Sequence, residues 1–95
     1  MTIQGQEIRK TTSYRVWIDD KGVAHIRLVK RINFKTLIGL CRESYLAIDK
    51  NTEHHPRIII YIPRSLYDEM SENVTEFIMF CRSCTDATFE LSIIG

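Results

Sequence analysis

A few short groups of residues carry side chains that could do chemistry. Cys81-Arg82-Ser83-Cys84 has the C-x-x-C spacing used by redox enzymes and zinc sites, His54-His55 places two imidazoles together, and Asp19-Asp20 does the same with carboxylates. A reactive cysteine in a redox pair sits at a helix N-terminus, where free N–H groups and the helix dipole favour the thiolate. Helical phase instead puts Cys81 at least two turns into a helix, in the middle of an apolar stripe with Val74, Phe77 and Ile78, and Cys84 at its border.

Cys41 lies on the equivalent stripe of an earlier helix, so all three cysteines are expected to act as small buried hydrophobes. A thiol redox or sensor protein using Cys81 and Cys84 is the competing reading. Zinc would need four ligands, and His54-His55 is the one cluster that could supplement the cysteines. His54 and His55 precede Pro56 in a polar stretch and read as solvated loop residues. Asp19-Asp20, beside Lys21-Gly22, reads as turn chemistry. No catalytic residue, cofactor or metal is assigned.

The elements that would position these groups follow from periodicity. YRVWID (Tyr14 to Asp19) and VAHIRLVK (Val23 to Lys30) are β-rich and joined by Asp20-Lys21-Gly22, a hairpin signal. Asn33, a good N-cap, precedes a helical pattern in which Phe34, Leu37, Ile38, Cys41, Tyr45 and Ile48 share a face. RIIIYI (Arg57 to Ile62) is a nearly continuous apolar strand expected at the centre of a sheet, covered on both faces or nearly so. Ser65 and Ser71 each offer a start for a second helix, on which Met70, Val74, Phe77, Ile78 and Cys81 form the apolar stripe. ATFELSII (Ala87 to Ile94) alternates, with Phe89, Leu91 and Ile93 on a dry face.

The expectation is a two-layer α/β domain, β-β-α-β-α-β, with a mixed four-stranded sheet and two helices on one face. Residues 14–95 form this single domain, and residues 1–13 are expected to be a flexible N-terminal arm. The chain has 95 residues, enough for one core, and a formal net charge of +1. That balance lacks the basic excess of a nonspecific nucleic-acid binder, so nucleic acid is not an expected partner. Three cysteines in a chain with ample apolar residues suggest a reducing, cytoplasmic setting. The polar start and the absence of a long apolar run suggest neither a secretory signal nor a membrane span.

The sheet face away from the helices is the richest candidate surface. If Val16 and Ile18 face the helices, Arg15, Trp17 and Asp19 face outward, as do Val23, His25, Arg27 and Val29 of the next strand. Trp17, Val23, Val29 and part of Ile58 to Ile62 then make an apolar patch suited to a partner or a second copy, unless the N-terminal arm covers it or the parity is reversed. A base-stacking platform for single-stranded RNA, with Trp17, His25, Arg27 and Tyr61, is the alternative use of the same face.

The order of hairpin, helix, RIIIYI, the segment PRSLYDEM, helix and ATFELSII resembles the STAS family, typified by anti-sigma factor antagonists. The resemblance spans residues 14 to 94 and rests on pattern and spacing. It implies a non-catalytic regulatory domain, of a kind found in bacterial regulation, that works by binding another protein. It also implies a phosphorylatable hydroxyl at the start of the second helix. The position here reads Met70-Ser71-Glu72-Asn73, so Ser71 is in register, while the family's aspartate and glycine are missing. Phosphate at a helix N-terminus would be favoured by the dipole; Glu72 opposes it with a fixed negative charge, and capping preference favours reading Ser71 as a plain N-cap or an exposed polar residue. The family's last helix has no counterpart before Gly95. The expected function is therefore protein interaction, possible homodimerisation included, with Trp17, His25, Arg27, Ser71 and Glu72 as candidate contact residues.

Overall fold

The computed structural model describes residues 6–48, 56–70, 74–83 and 87–95. Strand β1 (Gln6–Lys10) pairs antiparallel with β2 (Tyr14–Ile18), and β2 pairs antiparallel with β3 (Ala24–Leu28). Helix α1 (Phe34–Ala47) leads to β4 (Arg57–Pro63), which lies parallel to β3. Helices α2 (Arg64–Met70) and α3 (Val74–Ser83) precede β5 (Thr88–Ile94), parallel to β4. Strand order is β1-β2-β3-β4-β5, so each new strand is added on the same side of the last.

The α/β class and mixed sheet match expectation, and the sheet has five strands instead of four. Part of the segment expected to be an arm, Gln6–Lys10, is an edge strand. One apolar residue, Ile8, in a short charged run gives almost no periodic signal; the free edge of β2 supplies the pairing partner. The second helical region, expected as one helix starting at Ser65 or Ser71, is two elements, with α2 beginning at Arg64 and α3 at Val74.

Local chemistry explains the elements. The β2–β3 connection closes with Gly22 N–H donating to Asp19 O at 3.1 Å, and Gly22 takes φ +81°, a conformation cheap only for glycine. Asn33 caps α1, its Oδ1 accepting from Thr36 N–H at 2.8 Å, a contact of the kind that stabilises by about 1 kcal/mol.

The core lies between the sheet and the helices. Val16, Ile18, Ala24, Ile26, Leu28, Ile58, Ile60 and Ile62 point inward, against Phe34, Leu37, Leu40 and Cys41 of α1 and Phe77 of α3. Each fully buried Ile or Leu contributes on the order of 1.5–3 kcal/mol relative to exposure. Ser44, also buried, satisfies its hydroxyl on Leu40 O at 2.8 Å. Two expectations about burial need correction. Ile59 and Tyr61 of β4 are only half-buried, because none of the described helices covers the outer face. The inner face of β5 is not dry: Leu91 and Ile93 are 40% and 36% exposed, because the helices leave the end of that strand open.

Candidate functional site

The inward burial of Val16, Ile18, Ala24, Ile26 and Leu28 fixes the parity of the sheet, and the parity puts two ranks of side chains on the outer face. Cross-strand register runs the first rank as Glu7, Trp17, His25, Ile59 and Glu90. The second runs Lys10, Arg15, Arg27, Tyr61 and Ser92. An aromatic and aliphatic row closed by glutamates thus lies beside a row with three consecutive cations.

The aromatic side chains are held in one arrangement. His25 Nε2 is 2.8 Å from Asp19 Oδ2, and His25 Nδ1 is 2.8 Å from the Tyr61 hydroxyl. With Asp19 ionised, neutral His25 carries its proton on Nε2, so Nδ1 accepts from Tyr61 O–H. The His25 and Tyr61 ring planes differ by 10°, and a 2.8 Å bond joins atoms lying in those two planes. The rings therefore lie side by side in nearly one layer, instead of face to face. Trp17, with its centroid 5.0 Å from that of His25 and planes 10° apart, is too close for the same layer and packs against the imidazole face. Arg15 Cζ stands 4.8 Å from the Trp17 centroid while its Nε donates to Glu7 Oε1 at 2.9 Å.

Asp19 does double duty. Its Oδ1 accepts from the N–H groups of Lys21 and Val23 at 2.8 and 3.0 Å, fixing the turn, and its Oδ2 meets His25. Partial burial on its own would raise its pKa; the hydrogen bonds from His25, Val23 and Lys21 outweigh that and hold the carboxyl below its ordinary value. At the far end of the first rank, Arg57 grips Glu90 with two nitrogens at 2.7 to 3.1 Å, and this pairing raises the pKa of the guanidinium.

An Asp–His–Tyr chain has the connectivity of an activated nucleophile, with an orienting carboxylate, a base and a hydroxyl. Its position is different from that of a catalytic group in a cleft. Two cavities, each of about 350 Å³, lie on the helix side: one lined by Phe34, Phe77, Phe89 and Leu91 among others, the other by Cys41, Tyr45 and Phe80. The hydrogen-bonded chain stands on the opposite, open face and acts there to lock the side chains of Trp17 and Tyr61.

Of the residues singled out by sequence, Trp17 and His25 come together in the first rank, and Arg27 lies in the second, directly across from Tyr61. Val23 is half-buried, and Val29, 56% exposed, follows the end of β3, so the patch is smaller and more charged than the apolar surface expected. Ser71 and Glu72, together with Asn73, His54, His55 and Cys84, lie outside the described residues. Cys41 is buried in the core and Cys81 half-buried in the last turn of α3, at the negative end of that helix. Among the described residues no group of three or more His, Cys, Asp or Glu side chains is placed to hold a metal ion, and no helix is long and apolar enough to cross a membrane.

Sequence reasoning did not anticipate that Asp19 would bridge turn and histidine, nor the contributions of Glu7 and Lys10 from β1. The i, i+2 spacing of Arg15, Trp17 and Asp19 was the available signal for the first. For Glu7 and Lys10 there was none without the pairing register. Comparison of the chain with family models, curated proteins and solved structures found no match.

Proposed function

We propose that the chain is a small non-catalytic regulatory domain of STAS-like type that binds another protein through the outer face of its sheet. The observation that carries this reading is the pre-locked cluster Trp17, His25 and Tyr61 beside the cationic row Lys10, Arg15 and Arg27. Trp, Tyr and Arg are the side chains most often found at the energetic centre of protein interfaces, and anchors fixed in advance lose little entropy on binding. Like charges placed directly opposite on neighbouring strands are unfavourable. Arg15 finds relief on Glu7, and the row as a whole favours a partner that brings carboxylates to Lys10 and Arg27. The partner surface in this reading combines an apolar or aromatic centre with an acidic margin.

The STAS-like assignment draws support from the order of β2, β3, α1, β4, α3 and β5, and the additional β1 and α2 are departures from the expected four strands and two helices. In this reading the setting is the bacterial cytoplasm, and Ser71, between α2 and α3 in the sequence, is the position for a phosphoryl switch, with Glu72 beside it.

Single-stranded RNA is the competing occupant, favoured by the same cations. Base stacking needs free ring faces, and Trp17 already spends a face on His25 and lies against Arg15. The deciding experiment compares wild type with Trp17→Asp and Arg27→Glu. A protein partner isolated with wild type should bind the purified chain by calorimetry, and both variants should weaken it at least about tenfold while their melting curves stay cooperative. Equal binding by all three chains would remove the outer face as the site. Salt-dependent retention of single-stranded RNA, lost in Arg27→Glu, would replace the protein reading with the RNA one.

A further inference from the structure

The two edges of the sheet are built differently, and the difference points to an occupant for one of them. β1 carries the devices that keep an edge from pairing: it is short, its register with β2 shifts between Glu7 and Arg9, and Glu7, Arg9 and Lys10 line it. β5 has seven residues, TFELSII, pairs with β4 through an unbroken register from Thr88 to Ile94, and holds a single charge, Glu90, already engaged by Arg57. It contains no proline or lysine, and Leu91, Ile93 and Ile94 are each more than a third exposed. A long, regular, apolar edge of this kind is a template for strand addition.

We infer that β5 pairs antiparallel with β5 of a second copy about a two-fold axis through Leu91, making one continuous ten-stranded sheet. The backbone phase supports this centre. Thr88 N–H donates to Pro56 O on the β4 side at 2.8 Å, so alternate residues Thr88, Glu90, Ser92 and Ile94 point their backbone groups toward β4. Phe89, Leu91 and Ile93 then present theirs at the open edge.

With the axis at Leu91, Leu91 meets its own symmetry mate and Phe89 meets Ile93. Every pair on the inner face is apolar, and the exposed inner side chains of both copies are covered by each other. On the outer face Glu90 meets Ser92 and Thr88 meets Ile94, so the strand's single charge never faces itself. Shifting the axis to Glu90 would set two carboxylates directly opposite, which is unfavourable. Charge therefore excludes the Glu90-centred register, and the Leu91-centred one is self-complementary along the whole strand, which fits a second copy as the occupant. The axis stands perpendicular to the sheet, so the two outer faces lie on the same side of the dimer, and two copies of the proposed partner surface would be displayed together. The dimer itself does not rest on that surface being functional.

The test is the concentration dependence of mass by sedimentation, for the purified chain and three variants. Wild type should approach twice the 11.2 kDa chain mass as concentration rises. Leu91→Lys, which sets two ammonium groups together on the axis, should stay at the single-chain mass with a cooperative melt. Ser92→Lys should tighten the dimer by supplying two Glu90–Lys pairs, and Ser92→Glu should weaken it, each by up to about tenfold for two cross-strand pairs of ordinary strength.

A wild-type chain that stays monomeric into the high micromolar range overturns the inference, including the case where it instead accepts an added strand peptide at β5. So does a dimer that Leu91→Lys leaves intact, or one in which Ser92→Lys and Ser92→Glu behave alike. A dimer broken by Trp17→Asp and not by Leu91→Lys would place self-association on the outer face instead, which also overturns it.

Discussion

β1 and β5 close the same sheet on opposite sides, and Ile60 on β4 and Leu91 on β5 show how little the identity of a side chain decides its fate there. They are register partners on the same face, yet Ile60 is fully buried and Leu91 is 40% exposed. One strand further toward the edge of the sheet is enough to change an aliphatic residue from core to surface. At the other edge, Arg9 reaches back over the inner face to Glu43 of α1 at 3.3 Å, so the strand ends in charge instead of apolar surface. The lesson is that an edge is finished either by solvated charges or by another molecule, and this chain uses the first solution on one side only.

Three changes would break or sharpen that contrast. The largest effect is expected from Ile60→Ala, which empties a fully buried site and should cost about 2–5 kcal/mol in denaturant unfolding, against under about 1 kcal/mol for Leu91→Ala measured at concentrations where the chain is monomeric. Similar costs for the two would mean that Leu91 is covered in the isolated chain.

Asp19→Asn comes next. A single amide oxygen cannot serve both the turn N–H groups and His25, so a loss of about 1–2 kcal/mol at pH 7 is expected. Because the folded pKa of Asp19 is lowered, the stabilisation is present above the ordinary carboxylate range, near 3.9, and is lost as pH falls through the lower folded value. The gap between wild type and Asp19→Asn should therefore shrink below about pH 4 in acid titrations of unfolding. A gap independent of pH would show that the ionised carboxylate is not what holds the turn and His25.

The smallest effect on stability, and the most direct test of edge protection, is replacement of Glu7, Arg9 and Lys10 by Thr. Exposed ion pairs such as Arg15 with Glu7 contribute little, so the melting temperature should change slightly. Light scattering should nevertheless rise with time, because both edges would then be open to pairing. Stable scattering would show that the register shift in β1 protects the edge without help from charge.

Much of the fold was legible in local pattern. Gly22 marked the hairpin, Asn33 marked the start of α1, and the run RIIIYI marked β4, because each signal is set by residues within a few positions of one another. β1 was not legible, since its single apolar residue becomes a strand only when β2 offers a partner. The division of this region into α2 and α3 was not legible, since Ser65 and Ser71 read as alternative starts of a single helix and α2 begins at Arg64, one residue before Ser65.

The candidate site divides the same way. Period-two alternation was enough to group Arg15 with Trp17 and His25 with Arg27 on one side of each strand, and the burial of Val16, Ile18, Ala24, Ile26 and Leu28 was needed to show that this side is the outer face. The joining of Asp19, His25 and Tyr61 was not, since Tyr61 lies 36 residues from His25 and meets it only through the parallel pairing of β3 with β4.

By itself, then, the sequence determined β2 to β5 and α1, which side chains share a face, and that Cys81 sits inside a helix instead of at its start, because these depend on spacing along the chain. Only the tertiary structure decided that β1 joins the sheet, that Trp17, His25 and Tyr61 lock together, and that β5 is left as an open apolar edge, because each depends on which strand lies beside which.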